Sequence, residues 1–175
     1  MLQNVTVRRV NDGEAAALME ALADILIDCV EGGASVSFMR PLPREKAIAF
    51  WRDVASGVDR GERVLLIAED DAGHILGTVQ MIVALPDNQP HRADVAKMLV
   101  HRSARRSGIA QRLMRALDTV AREDGKTVLV LDTATGGDGE RVYERAGWQR
   151  VGVVPKYALM PDGEFCSTTF FYKHL

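Results

Sequence analysis

The stretch KMLVHRSARRSGIAQRLMRAL, Lys97 to Leu117, decides how the rest of the chain is read. It opens as an apolar strand, turns through the basic loop Arg105-Arg106-Ser107-Gly108-Ile109-Ala110, and continues as an amphipathic helix. Backbone amides at a helix start have no intrahelical acceptor, and the aligned peptide dipoles add roughly half a positive charge there. Gly108 and Ala110 keep side-chain bulk out of the turn, and Arg105, Arg106 and Arg112 surround it with full charges. A loop of this kind is expected to hold a pyrophosphate. The spacing excludes two other phosphate loops: no Lys-Ser or Lys-Thr follows the last glycine, and no G-x-G-x-x-G follows a strand. The Gly136-Gly137-Asp138-Gly139 cluster has the wrong spacing for either.

Working outward, length and composition set bounds. A chain of 175 residues suits one domain with one core, so residues 1–175 are read as a single unit. Apolar content of 47% and charged content of 26% are ordinary globular values. A net charge of −2 supplies no general attraction to nucleic acid or an anionic membrane. No apolar run approaches the roughly 20 residues of a membrane span. The start MLQNVTVRRV lacks the apolar centre of a signal peptide, so a cytoplasmic location is expected. Cys29 and Cys166 make neither a disulfide framework nor a metal site, and no metal is expected.

Periodicity then orders the elements. Val5 to Val10 reads as a strand, with Asn11 or Asp12 available to cap a helix carrying Leu18, Leu22, Ile25, Leu26 and Cys29 at helical spacing. Gly32-Gly33 ends that helix, and a second is expected from Arg44 to Ser56 with Trp51 in the core. Strands follow at Val64–Glu69, His74–Ala84 and Arg92–Val100, the first two joined by the turn Asp70-Asp71-Ala72-Gly73. On the third, alternation groups Asp94, Ala96, Met98 and Val100 on one face and Ala93, Val95, Lys97 and Leu99 on the other. The helix after the basic loop buries Ile109, Leu113, Ala116, Leu117 and Val120. A buried strand at Thr127–Asp132, a short helix opened by Asp138 or a neighbour, and strands at Trp148–Val154 and Phe165–Tyr172 complete the chain. This is an α/β fold with a mixed sheet.

With those residues in view, the chain resembles the GCN5-related N-acetyltransferases (GNAT). Arg105, Gly108 and Ala110 occupy the fixed places of that family's Gln/Arg-x-x-Gly-x-Gly/Ala motif, and the element order is similar over essentially the full length. Tyr143 and Gly147-Trp148 look like its second motif, a Tyr, three spacers, Gly and an aromatic. The resemblance implies a three-layer fold with a mixed, mostly antiparallel sheet of about seven strands and about four helices. It implies acetyl-CoA as cosubstrate, its pyrophosphate on Arg105, Arg106, Ser107, Gly108, Ile109, Ala110, Gln111 and Arg112, and its pantetheine along the backbone of Met98, Leu99 and Val100. It also implies that the Tyr143 hydroxyl faces the CoA sulfur as a general acid; the alternative is a half-buried packing residue.

Acetyl transfer also needs a base for the acceptor amine. Asp132, at the mouth of its strand, and Asp94, one strand over, are the candidates, expected to face one pocket. The alternatives are a turn residue for Asp132 and a partner of Arg92 for Asp94; His101, His91 and Glu140 are weaker choices. The loop EGGASVSFMRPL, carrying Ser35, Phe38 and Met39, is either a connector between helices or a wall of the acceptor site.

Within the family, EGGASVSFM, RADVAKMLV, LVLDTATG and KYALMPDGEFCSTTFFYK are similar to tabtoxin-resistance-type acetyltransferases, which implies a small amino-acid-like or toxin-like acceptor and acidic residues at Asp94 and Asp132. The expected activity is N-acetylation of a primary amine of a small molecule by direct attack, without an acyl-enzyme. A protein or peptide acceptor, or a non-catalytic CoA-binding regulatory module, are the alternatives. The chain is expected to act as a monomer or as a homodimer through its terminal strands.

Overall fold

In the computed structural model, which describes residues 4–175, the alternating apolar runs become one seven-stranded sheet. The first three residues of the N-terminal segment read above lie outside the described residues. The elements run β1 (Val5–Arg9), α1 (Met19–Glu31), α2 (Arg44–Asp59), β2 (Arg63–Asp70), β3 (Ile75–Ile82), β4 (Arg92–Val100), α3 (Ile109–Glu123), β5 (Val128–Ala134), α4 (Asp138–Arg145), β6 (Gln149–Leu159) and β7 (Phe165–His174). The strand order is β1-β2-β3-β4-β5-β7-β6. Every neighbouring pair is antiparallel except β4–β5, the parallel pair that α3 connects. The expected α/β class, strand count and helix count all hold.

Period-two alternation on β2 splits the core in two. Val64, Leu66 and Ala68 face α3, where they meet Val79, Met81, Leu113, Leu117 and, further along, Tyr143 and Phe171. Leu65 and Ile67 face the other way, onto Leu22, Ile25, Leu26 and Trp51 of α1 and α2. The sheet is thus the middle of three layers. Trp51 is core, as its spacing indicated.

Three local readings are corrected. Neither Asn11 nor Asp12 caps α1: a 3-10 turn at Ala15–Leu18 comes first, and Asn11 instead exchanges bonds with Glu14, its N–H donating to Oε2 at 3.0 Å. The buried stripe of α3 includes Met114 and Ala121, while Ala116 and Val120 are only half-buried, so the helix is rotated from the expected face. For α4 the cap position falls to Gly137, the neighbour of Asp138, as the reading allowed. Finally, β6 does not stop at Val154 but continues through Pro155 to Leu159, because it is an edge strand where a missing N–H is tolerated.

One ion pair fastens the second half of the sheet to its helices. Lys173 Nζ on β7 donates to Asp118 Oδ2 of α3 at 2.5 Å and to the Ala146 carbonyl at the end of α4 at 2.6 Å. Both charged side chains are largely buried. Removing one partner strands the other without solvent, so Lys173→Met is expected to cost about 3 kcal/mol, with Lys173→Met/Asp118→Leu recovering most of it; urea unfolding of both variants checks this.

Candidate active site

The site begins with a break in pairing. β4 and β5 are registered only over Arg92↔Val128, Ala93↔Leu129 and Asp94↔Val130; beyond Asp94 the two strands part. On the other side of β4, the register with β3 slips: Thr78 pairs with Leu99 but Gln80 with Ala96. The extra residue belongs to β4, and Lys97 carries it with a φ of +52°. The bulge reverses which face each side chain takes. Val95 lies in the core under α3, whereas Leu99 lies in the core under α1 and α2. The expected grouping of Val95, Lys97 and Leu99 on one face therefore fails at Lys97.

The parted strands frame a cavity of about 440 Å³. Its walls come from Val95–Met98 of β4, Asp132–Ala134 of β5, Tyr143 of α4, the loop Ser35–Met39, and Tyr157, Leu159, Cys166 and Thr168 of the β6–β7 hairpin. The loop thus lines the cavity as well as connecting the two helices. Ser35 Oγ donates to the Leu159 carbonyl at 3.4 Å, and the Arg40 N–H donates to the Pro161 carbonyl at 3.1 Å, which fastens the loop to the hairpin. Phe38 stacks edge-on against Phe50 of α2 at 5.3 Å, while Met39 is exposed.

Asp132 and Tyr143 meet in this cavity. The Thr168 hydroxyl donates to Asp132 Oδ2 at 2.8 Å, which orients the carboxylate. Tyr143 is 7% exposed and packs edge-on against Trp148 at 6.0 Å. Burial first, and then the negative charge of Asp132, push its phenol above the ordinary value, so it remains a proton donor. Its helix sits close: a Cβ at Gly139 would meet Thr133 Oγ1 at 2.7 Å, so only glycine lets the first turn of α4 close on β5.

Asp94 does not join them. It lies where β4 and β5 are still paired and forms an ion pair with Arg92, so the expectation of two carboxylates facing one pocket is not met. Of the weaker candidates, Glu140 is engaged by Arg150 and by the Gly136 N–H, His101 faces Asp28 at 3.6 Å, and His91 is exposed; none lines the cavity. The missed residue is Lys97. Its Nζ donates to Ser37 Oγ at 3.0 Å and sits 5.6 Å from the centre of the Phe50 ring. Burial lowers its pKa, Asp132 counters this, and Arg63 adds to the lowering. A lone lysine inside the apolar run VAKMLV was the available signal.

The basic loop has the geometry of an anion cradle. Arg106 and Gly108 both take left-handed backbone, at φ of +61° and +82°, with Ser107 between them. Alternation of this kind turns successive N–H groups toward one concavity. The first bond into α3 is donated by the Arg112 N–H to the Gly108 carbonyl at 3.1 Å, and among the described residues the amides of Ile109, Ala110 and Gln111 find no backbone acceptor. A Cβ at Gly108 would meet nothing within 4 Å, so the approach is open. The side chains divide differently from the expectation. Arg112 turns to the Val5 carbonyl of β1 and Gln111 donates to the Val142 carbonyl of α4 at 3.1 Å, so neither side chain faces the cradle. Arg105 Nε donates to the Val100 carbonyl at 3.4 Å, and the Leu99 side chain is buried.

Comparison with known proteins agrees with this geometry. The profile of the Acetyltransferase (GNAT) family matches residues 19–148. An uncharacterized N-acetyltransferase from Azospirillum brasilense is 32% identical over 133 residues, covering 75% of this chain and 76% of that protein. Among solved structures, an N-acetyltransferase from Staphylococcus aureus superposes with a TM-score of 0.79 at 17% identity, covering 98% of this chain and 99% of its own. A putative acetyltransferase from Salmonella typhimurium, solved with acetyl-CoA, gives 0.79 at 19% identity, covering 99% and 95%. The family profile spans most of the chain and the Azospirillum relative is 32% identical over three quarters of it, so the chain belongs to the GNAT acetyltransferase family.

Proposed function

We propose that the protein transfers the acetyl group of acetyl-CoA to the primary amine of a small molecule. The observation that carries this reading is the meeting of Asp132 and Tyr143 in one cavity between the parted ends of β4 and β5. Acetyl-CoA supplies a thioester; the unpartnered amides of Ile109, Ala110 and Gln111, in the turn shaped by Arg106 and Gly108, hold its pyrophosphate, with Arg105 and Arg106 adding charge. The backbone edge of Met98 to Val100, no longer paired with β5, holds the pantetheine.

Asp132 takes a proton from the acceptor ammonium, directly or through water, and the neutral amine attacks the carbonyl carbon. As the carbon–nitrogen bond forms and the carbon–sulfur bond breaks, Tyr143 gives its phenolic proton to the departing sulfur, and the second proton that the acylated nitrogen sheds restores the phenol, directly or through water. Net transfer leaves an amide and a free thiol. Cys166 lines the cavity and Cys29 is buried at the end of α1; neither is assigned a nucleophilic role. Asp94, neutralised by Arg92, is assigned no proton.

A small acceptor is supported by the loop Ser35–Met39 and the β6–β7 hairpin, which close over the cavity and narrow any groove for a peptide. The likeness of several loops to tabtoxin-resistance-type enzymes supports an amino-acid-like or toxin-like acceptor. Two unpaired cysteines suit a reducing, cytoplasmic setting. The exposed apolar side chains Val151, Val153 and Tyr157 on the edge strand β6 favour a homodimer over a monomer.

Three measurements test the reading. Proline is tolerated in the first turn of a helix and removes one amide donor, so Ala110→Pro should weaken CoA binding about 10-fold by calorimetry while thermal unfolding is little changed. In a thiol-release assay, Tyr143→Phe and Asp132→Asn should each lower kcat by about 100-fold or more; unchanged turnover in either variant removes that residue from the mechanism. Folding raises the Tyr143 phenol, so the folded chain keeps a proton that the unfolded chain sheds near pH 10. That contribution is full below this pH and is lost as pH climbs toward the folded value. Urea titrations of Tyr143→Phe across about pH 9 to 11 should therefore lose stability less steeply than those of the parent protein.

A further inference from the structure

Among the described residues, only two that line the cavity are charged, and they are opposite in sign: Asp132 on β5 and Lys97 on β4. Resting on the small-molecule reading above, we infer that Lys97 is an acceptor-binding residue and that the acceptor is a zwitterion, an amine that also bears a carboxylate or an isosteric acid.

The argument begins with what holds Lys97 in place. A lysine on a regular strand would alternate with Ala96 and Met98 and lie on one face only. The bulge gives this residue a left-handed φ of +52°, which side chains rarely adopt, and brings Val95 to Met98 together onto the cavity wall. The Nζ is then fixed by two contacts, Ser37 Oγ at 3.0 Å and the Phe50 ring at 5.6 Å. Neither carries a charge. Among the described residues no carboxylate lies within salt-bridge distance of it, although its side chain is half-buried.

An ammonium has three donors, and Ser37 accepts only one. The Ser37 oxygen accepts that bond, which leaves its own hydroxyl proton free to donate. Lys97 and Ser37 together therefore present a positive charge and a majority of donors, which is what a carboxylate needs. Across the cavity Asp132 is an acceptor, oriented by Thr168. A guest with its ammonium on Asp132 and its acid on Lys97 leaves no charge unpaired. A simple alkylamine leaves Lys97 unpaired, and an internal residue of a peptide has no free carboxylate to offer.

The test measures kcat/KM by thiol release for L-amino acids against their matched carboxamides, with a set of short peptides in the same panel. The parent protein is expected to favour each acid over its amide by about 10-fold or more, and Lys97→Met to erase that ratio, since hydrogen bonds to charged groups carry discrimination of this order. Lys97→Glu should invert it, and Lys97→Arg should keep most of it. Circular dichroism and unfolding midpoints establish that each variant is folded. Equal turnover of acids and amides by the parent protein, or a ratio unmoved in a folded Lys97→Met, overturns the carboxylate subsite alone. Turnover confined to peptides overturns the small-molecule reading together with it.

Discussion

One extra residue on β4 shapes this molecule. A sheet whose strands stayed paired to their ends would have no room at its centre for a ligand, because every backbone group would be used in a ladder. The bulge at Lys97 lets β4 keep its bonds to β3 on one side while it leaves β5 on the other. The strands part after Asp94, and the wedge between them becomes the cavity. The same bulge turns Leu99 into the core beneath α1 and α2 and Lys97 into the cavity. Opening the sheet and arming the site are thus consequences of a single insertion.

The two ends of the site are coupled through α3 and α4. The turn at Arg105 to Ala110 ends in the helix whose Gln111 reaches the Val142 carbonyl, one residue before Tyr143. Lys173 ties the far ends of both helices to β7. The C-terminal half of α4, which carries Tyr143, is therefore held by Gln111 at Val142 and by Lys173 at Ala146, and burial of the phenol against Trp148 and Phe171 keeps it protonated. Packing and protonation go together for Tyr143: the contacts that make it part of the core are the ones that keep its phenol protonated.

Legibility followed the range of the interaction involved. The basic turn could be read because helix starts are local: a left-handed glycine, small neighbours and an amphipathic helix declare themselves within ten or so residues. Which arginines face the turn could not, since Arg112 is claimed by a carbonyl of β1, more than a hundred residues away. Asp94 and Asp132 looked equivalent as strand carboxylates. They differ because one lies before the point where the strands separate and beside Arg92, and the other lies after it. Lys97 was invisible as a site residue because strict alternation assigned it to the face of Val95, and alternation fails at a bulge.

The sequence by itself determined the order of elements, the α/β class, the basic glycine turn ahead of α3 and the place of Tyr143 on a short helix, because each depends on periodicity or on residues adjacent in the chain. Tertiary structure alone decided that β4 and β5 separate, which of two aspartates reaches the cavity, and that a lysine faces the survivor across it. Those outcomes rest on registers between strands distant in sequence, where a shift of one residue exchanges the two faces of a sheet.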